Sequence, residues 1–371
     1  MDKISTEQSP TIEAFGHGDF RFDIVSRLPF EVSAAILEEV ARTSDGDWTL
    51  ISGSTSNEVK TAARSRLGIS CMISRVCQKW RNLALNIPFL WSKIKISVLQ
   101  RKVNRANELL TATSHRIGAY PAEIVVDDFR AYDPNGEKIE VAVDQCHLER
   151  IENIKHLHIR FLADYELNSD VFLKLLGQVM RPPEMLTLDC GRAVPGASGA
   201  FSAPWCLNKI MKLSPTTSHL YLRFVGARLE LRDEDSWSSI TTLEIEKPDH
   251  PFPLPKLVNA IPNLQRLIIR RNSREPHPHA YEWSSFPPHN RITYLQVPDL
   301  SFVGWHLTPY RGMFPALTEL DTSSDELLRI FLEKHPQVPY VRVKGIGYST
   351  SDLNWRDGDR LDDETSFGRE Q

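Results

Sequence analysis

Three histidines in one proline-rich stretch have the spacing in this chain that comes nearest to a metal site. His277, His279 and His289 lie in REPHPHAYEWSSFPPHN, where the prolines predict an extended loop. Histidine is a common zinc ligand, but no cysteine or carboxylate completes a recognisable ligand set here. We therefore expect no metal and no other cofactor.

Other catalytic chemistry finds equally little support. The chain contains no G-x-x-x-x-G-K-[ST], G-x-G-x-x-G, G-x-S-x-G or H-E-x-x-H. Asp127-Asp128 and Asp362-Asp363 are interpreted as solvated charges, because nothing suggests the burial that would separate their pKa values. A cysteine with a distant histidine could form thioesters, but Cys77 faces a helix seam and the other cysteines lack a local motif. The sequence predicts a protein without catalytic residues.

The composition limits the classes of protein to which this chain can belong. The 371 residues include 41% hydrophobic residues, enough for a sizeable core, and the net charge of −4 gives no bulk field that would attract nucleic acid or a membrane. Five cysteines with no C-x-x-C pair favour reduced thiols. The start of the chain lacks the apolar region of a signal peptide, and no apolar run approaches the length of a membrane span. We expect a cytoplasmic or nuclear protein.

The elements begin with a short amphipathic helix. Residues 1–22 are expected to be flexible, and the helix is predicted in LPFEVSAAILEEVAR, where Pro29 suits the first turn and Val32, Ile36 and Val40 recur every four residues. The following segment, TSDGDWTLISGSTSN, has the composition of a loop. Thr55-x-x-Glu58 could cap another helix.

A second helix carries a narrow apolar seam. Its members are separated by three or four residues and are Ile69, Ile73, Val76, Trp80, Leu83 and Ile87. Pro88 is predicted to end this helix, because a residue before proline is disfavoured in the α region. Leu90 and Trp91 are interpreted as core residues, with Phe89 to Trp91 beginning the first strand of a repeat array.

Ten copies of the pattern apolar-x-x-L-x-apolar follow. Their fourth positions, called here the pivots, are Ile94, Ile124, Leu157, Leu186, Leu220, Leu243, Leu267, Leu295, Leu320 and Val341. Successive pivots are 21 to 34 residues apart, which overlaps and slightly exceeds the period of leucine-rich repeats. The pieces between them have helical periodicity and are VNRANELLTAT, NSDVFLKLLGQVM, CLNKIMKL, LPKLVNAI and SSDELLRIFLEK.

A strand followed by a helix in each unit predicts an α/β solenoid, since no single unit can bury its apolar face alone. We assign residues 92–349 to this leucine-rich-repeat-like solenoid and residues 350–371 to an acidic disordered tail. Residues 23–91 form the preceding all-α domain of about three short helices, with a longer internal loop near 42–57. Side-chain alternation turns each pivot inward and its neighbours outward.

The predicted outer face of the sheet is rich in residues suited to protein interfaces. Those chosen as candidate substrate contacts are His158, Tyr221, Arg223, Arg270, Tyr294 and Arg342. Acidic residues interrupt this row at Asp189, Glu244, Glu246, Glu319 and Asp321. Solvated strand faces without a partner are the alternative interpretation of these residues.

The order of these features resembles a known family. LPFEVSAAILEEV, then ISRVCQKWRNLALNIPFLWSKI, then a repeat array resembles fungal F-box proteins, particularly the basidiomycete group with irregular leucine-rich repeats. The motif resemblance covers roughly residues 26–96, and the remainder is similar only in having irregular leucine-rich-like repeats. The loop and extra residues at about 42–65 are longer than in a minimal F-box, and the repeats lack a regular asparagine or cysteine ladder.

The resemblance implies a substrate-recognition subunit of a cullin-RING ubiquitin ligase. Its F-box would bind the Skp adaptor, and through it the cullin and RING subunits, while the repeats bind a protein substrate. The matching positions for adaptor docking are Leu28, Pro29, Val32, Ile36, Leu37, Val76, Cys77 and Trp80. Two alternatives are a repeat scaffold unconnected to ubiquitin, whose helical N-terminus is a cap, and an enzyme with an unrecognised site.

Overall fold

The computed structural model describes most of the repeat array and four parts of the segment before it. The described residues are 28–43, 49–52, 73–74, 78–97, 103–129, 146–161, 169–190, 207–223, 231, 236–246, 254–270, 287–298, 313–323 and 328–350. The predicted lead-in at 1–22, the capping box at Thr55 and the acidic tail from 351 lie outside them. So do Val76, Cys77, His277 and His279.

The strands form one open sheet in which each strand lies beside its neighbours in sequence. They are β1 (Thr49–Ser52), β2 (Lys93–Ser97), β3 (Ala122–Phe129), β4 (Ile154–Phe161), β5 (Met185–Cys190), β6 (His219–Arg223), β7 (Thr242–Glu246), β8 (Arg266–Arg270), β9 (Tyr294–Val297), β10 (Glu319–Thr322), β11 (Tyr340–Val343) and β12 (Ile346–Ser349). The first eleven pair in parallel, and β12 runs antiparallel to β11. This sequential order is the one expected for stacked strand-and-helix units.

The pivots set the register of the sheet. All ten are at most 1% exposed, and each is the direct partner of the next across ten neighbouring strands. Two residues further along each strand, a second buried row runs from Ile96 to Val343. A slip of one residue would turn both rows to the outer face, so burial specifies the pairing. The predicted repeat strands are confirmed.

Seven α-helices lie within the described residues, and each overlaps a segment for which the sequence predicted a helix. They are α1 (Phe30–Thr43), α2 (Gln78–Leu85), α3 (Val103–Ile117), α4 (Ser169–Gly177), α5 (Leu207–Leu213), α6 (Leu254–Asn259) and α7 (Leu328–Lys334). Leu110 of α3, Leu175 of α4, Ile210 of α5 and Phe331 of α7 belong to the same buried cluster as the pivots. The core therefore lies between the helices and the inner face of the sheet.

Backbone carbonyl groups just before the strands align the beginnings of neighbouring strands. The carbonyl oxygen of Thr241 accepts hydrogen bonds from the backbone of Gln265 and Arg266, and that of Gln265 accepts from Thr293 and Tyr294. Thr293 adds a bond from Oγ1 to the same Gln265 oxygen at 3.3 Å. These bonds satisfy backbone groups just before the sheet ladder begins.

The segment joining α2 to the sheet is a compact turn. Pro88–Trp91 forms a 3₁₀ turn, and β2 begins only at Lys93, so the prediction that Phe89 to Trp91 begin the strand is wrong. Proline with its fixed φ suits the first position of such a turn. Leu90 and Trp91 are buried, as predicted. Trp91 donates from Nε1 to the carbonyl oxygen of Ala84 at 2.7 Å.

Two strands depart from the predictions. Thr49–Ser52, inside the predicted loop and the predicted all-α domain, is strand β1 and pairs with β2. Its Thr-Leu-Ile-Ser residues extend the sheet by one strand, despite the loop-like composition around them. At the other end, β11 turns into β12 through Lys344 (φ 49°) and Gly345 (φ 85°). Two consecutive residues with positive φ suit a two-residue hairpin turn.

Within the residues that the structure describes, no helix has both the length and the apolar character needed to cross a membrane.

Candidate functional site

The outer face of the sheet carries a row of alternating charge, called here the charge row. Its members are direct neighbours on five adjacent strands and are Arg160, Asp189, Arg223, Glu246 and Arg270. Neighbouring strands lie about 4.8 Å apart, so each carboxylate falls between two cations. Opposite charges placed directly across a strand pair stabilise the sheet and fix its register.

Asp189 is the centre of the first cluster. Its Oδ2 lies 2.8 Å from Arg160 Nε, 3.3 Å from Arg223 Nη1 and 3.5 Å from His158 Nε2. The Asp189 side chain is only 6% exposed. Burial alone would raise the pKa of this carboxyl, but the contacts with His158 and Arg160 and the charge of Arg223 outweigh it and lower the pKa. Asp189 is therefore an ionised, buried anchor for two arginines.

Glu246 continues the row on β7. Arg223 Nε lies 3.2 Å from Glu246 Oε2, and the Tyr221 hydroxyl donates to the same oxygen. Burial raises the pKa of Tyr221, and its hydrogen bond to Glu246 raises it further. Arg223 thus bridges two buried carboxylates, which holds its guanidinium in one orientation.

Glu244, on the same strand, binds the next arginine. Arg270 Nε lies 2.9 Å from Glu244 Oε1, and His219 Nε2 lies 3.9 Å from Glu244 Oε2. Burial raises the pKa of Glu244; the Arg270 charge opposes that change and Glu246 adds to it. Arg270 remains 55% exposed, so its partner is buried while its own head group faces solvent.

Three histidines lie at the start of the same strands. His156 and His158 stack with ring centroids 6.3 Å apart, and His156 Nε2 is 2.9 Å from Thr187 Oγ1. Burial lowers the pKa of His156 to about 4, assisted by His158 and His219. Burial also lowers the pKa of His219, together with the charges of Arg266 and Arg270. Both imidazoles are therefore neutral at pH 7.

The outer face continues toward the C-terminal strands with aromatic and charged contacts. The Arg266 guanidinium carbon lies 4.0 Å from the centre of the Tyr294 ring, and the Tyr294 hydroxyl donates to Gln296 Oε1 at 3.2 Å. Arg342 Nη1 lies 3.3 Å from Asp321 Oδ2. A cation over an aromatic face is a favourable, partly exposed arrangement.

The structure brings the six candidate substrate contacts onto one face. His158, Tyr221, Arg223, Arg270, Tyr294 and Arg342 all belong to outward positions of β4, β6, β8, β9 and β11. Sequence reasoning treated Asp189, Glu244 and Glu246 as interruptions of this row. They are instead its buried partners, a role that only the cross-strand register reveals. The charge alternation from strand to strand was the signal that could have predicted it.

The predicted adaptor contacts fall in several environments. Val32 and Ile36 on α1 are exposed, and of the two residues just before the helix Pro29 is exposed and Leu28 is half-buried. Leu37 is buried in the core of this chain, so it does not belong to the exposed surface. Trp80 is half-buried and packs against the core. Val76 and Cys77 lie outside the described residues.

Of the three histidines in the proline-rich stretch, only His289 lies within the described residues. Its Nε2 lies 2.9 Å from the carbonyl oxygen of Ile261, which can only accept, so Nε2 carries the proton and donates. Across the part of the chain that the structure describes, no group of three His, Cys, Asp or Glu side chains could hold a metal ion.

No family model matches the chain, and no curated protein matches its sequence.

Proposed function

We propose that this chain is the substrate-recognition subunit of a cullin-RING ubiquitin ligase, acting in the cytoplasm or nucleus. In this proposal the surface around α1 binds the Skp adaptor, and the outer face of the sheet holds a protein substrate. The chain contributes no catalytic residue of its own. It increases the rate of ubiquitin transfer by holding the substrate close to the ubiquitin-conjugating enzyme, an effect that can contribute several kcal/mol.

An exposed apolar stripe on α1 is the observation that supports the docking half most strongly. Val32, Ile36 and Val40 recur every four residues and are 44%, 43% and 43% exposed, and Phe30 beside them is 53% exposed. Ser33 and Leu37, on the other side of the helix, are buried. Contiguous exposed apolar side chains favour burial against a partner. None of these four residues belongs to the buried core of this chain.

The connection between α1 and the sheet supports the second part of the proposal, in which the sheet holds a substrate. α1 packs against the 3₁₀ turn Pro88–Trp91, and that turn leads within two residues into β2. The Trp91 indole ties the turn to the end of α2, and Arg116 from α3 lies 4.3 Å above its ring. A docking helix fixed to the sheet in this way would hold a substrate at a defined distance from the adaptor.

A repeat scaffold unconnected to ubiquitin is the second candidate. Strand β1 favours it, because Thr49–Ser52 extends the sheet from within the N-terminal segment, as a capping unit would. A repeat scaffold gives no role to the exposed apolar stripe on α1, so we prefer the ligase subunit.

Co-expression with the Skp adaptor separates the two candidates. The ligase proposal predicts that the folded, full-length chain co-purifies with the adaptor, and that Leu28→Ala with Pro29→Ala weakens the complex. A scaffold would fold equally well and leave the adaptor in the flow-through. Failure of the intact chain to bind the adaptor, or full binding by the double variant, would overturn the ligase proposal.

A further inference from the structure

The charged side chains of β4 to β8 are arranged in two layers. The three carboxylates of this outer face, Asp189, Glu244 and Glu246, have side chains 6%, 7% and 9% exposed. The guanidinium-bearing side chains of Arg160, Arg223 and Arg270 are 34%, 35% and 55% exposed. A molecule approaching from solvent therefore meets arginines first and the carboxylates hardly at all.

Arg266 adds a fourth cation to the outer layer. Its side chain is exposed and lies over the Tyr294 ring. On the outer face of these five strands, four arginines against three carboxylates leave one positive charge, and the neutral His156 and His219 add none. The surface is therefore cationic on its accessible side, although the chain as a whole carries −4.

The buried carboxylates also restrict the arginines. Arg223 is held by Asp189 and Glu246, and Arg270 by Glu244. A guanidinium has five N–H donors in a planar fork, so one edge can bind a buried carboxylate while another faces an incoming acceptor. Side chains that are already ordered lose less conformational entropy on binding, which favours affinity.

From these observations we propose that the outer face of β4 to β8 binds an acidic polypeptide segment, whose Asp and Glu carboxylates pair with Arg223, Arg266 and Arg270. The partner is a carboxylate-bearing peptide because Arg223 and Arg270 already pair with carboxylates within this face, and the exposed Arg266 adds a third guanidinium. The proposal deepens the proposed function, on which it rests, by giving the chemical class of the segment that the substrate would present.

Binding of a fluorescein-labelled peptide of ten glutamates to the full-length chain tests this proposal by fluorescence anisotropy. We expect Arg266→Gln with Arg270→Gln to weaken binding about tenfold, as removal of two exposed ion pairs would. Arg329→Gln is the matched control, because Arg329 is a half-exposed arginine on α7 that also pairs with a glutamate. It should bind as the unmodified chain does.

A single variant and two competing ligands complete the test. Arg266→Gln alone removes a cation whose contact is an aromatic ring, so it leaves the buried carboxylates paired and should still weaken binding two- to fivefold. A ten-nucleotide single-stranded DNA and a ten-lysine peptide serve as competing ligands of equal length. No binding of the glutamate peptide, equal binding by the double variant, or tighter binding of the oligonucleotide would overturn the proposal. The Skp adaptor is absent from this assay, so either proposal can fail while the other stands.

Discussion

Trp91 donates a hydrogen bond from Nε1 to the carbonyl oxygen of Ala84, at 2.7 Å and within the core. Ala84 lies in the last turn of α2, where its carbonyl group also accepts a longer hydrogen bond, at 3.4 Å, from the backbone N–H of Ile87. The indole therefore caps the helix end and packs the joint between α2 and β2 with a single side chain. The position of α2 relative to the sheet depends on this contact.

Trp91→Phe should lower the free energy of unfolding by about 0.5–1.5 kcal/mol, since it keeps most of the packing but leaves the Ala84 carbonyl with only its longer bond from Ile87. Trp91→Ala should cost about 3–5 kcal/mol because a cavity is added. Urea unfolding followed by circular dichroism measures both. Equal stabilities of the phenylalanine variant and the unmodified chain would show that the hydrogen bond contributes nothing.

Asp189→Asn should destabilise the chain by about 1–3 kcal/mol. The substitution keeps the shape but removes the charge that Arg160 and Arg223 share, and their partial exposure reduces the cost below that of a fully buried pair. Glu319→Gln is the matched control, because Glu319 pairs with Arg342 at 3.9 Å and is 35% exposed. Its cost should stay below about 1 kcal/mol. Similar urea midpoints for the two variants would contradict the role assigned to the buried carboxylate.

Stability should fall as the pH is lowered from about 6.5 to about 4. The pKa of His156 is about 4 in the folded chain, below the ordinary value of 6.5, because of burial and the neighbouring His158 and His219. The unfolded chain binds this proton first, so the stabilisation is complete above pH 6.5 and is lost as the pH falls toward 4. The lowered pKa of His219 acts in the same direction.

Urea midpoints at pH 7.5 and pH 5 measure this effect, which should amount to about 1–3 kcal/mol for His156. His156→Gln should reduce the difference between the two pH values. An NMR titration of the His156 ring should find it neutral at pH 5, whereas a midpoint near 6.5 would contradict the assigned environment.

Leu243→Ala should cost about 2–5 kcal/mol, because this pivot is fully buried and pairs with the pivots of both neighbouring strands. Thr242→Ala, one residue earlier and on the outer face, should cost less than about 1 kcal/mol. Thermal unfolding compares the two directly. Comparable losses of stability in the two variants would mean that a side chain on the outer face stabilises the fold as much as a buried pivot does.

The pivots show why the sheet could be predicted from sequence. A leucine, isoleucine or valine at the fourth position of each repeat recurs often enough to identify every strand from β2 to β11, and helical periodicity identified the helices between them. Local patterns of this kind are sufficient because each unit packs against its sequence neighbours. Side-chain alternation predicted which residues of each strand point toward the core and which point outward.

The edge strands and the charge pairing could not be predicted in the same way. Thr49–Ser52 becomes a strand because β2 offers an unpaired edge, which no local pattern records. Lys344-Gly345 forms the last turn without the Asn-Gly sequence typical of such turns. Asp189 and Glu246 acquire their partners from strands that are about 25 to 35 residues away in the sequence, so their roles depend on register.

Affinity of the purified full-length chain for the Skp adaptor, measured by isothermal titration, tests the central proposal most directly. The unmodified chain should bind, and Ile36→Glu should weaken binding at least tenfold, since a charge in the middle of the α1 stripe would be buried by the adaptor. Ile330→Glu is the matched control: it makes the same change at a similarly exposed isoleucine, 40% against 43%, on α7. Binding that is absent in the unmodified chain, or equal in all three proteins, would contradict the assignment as a ligase subunit.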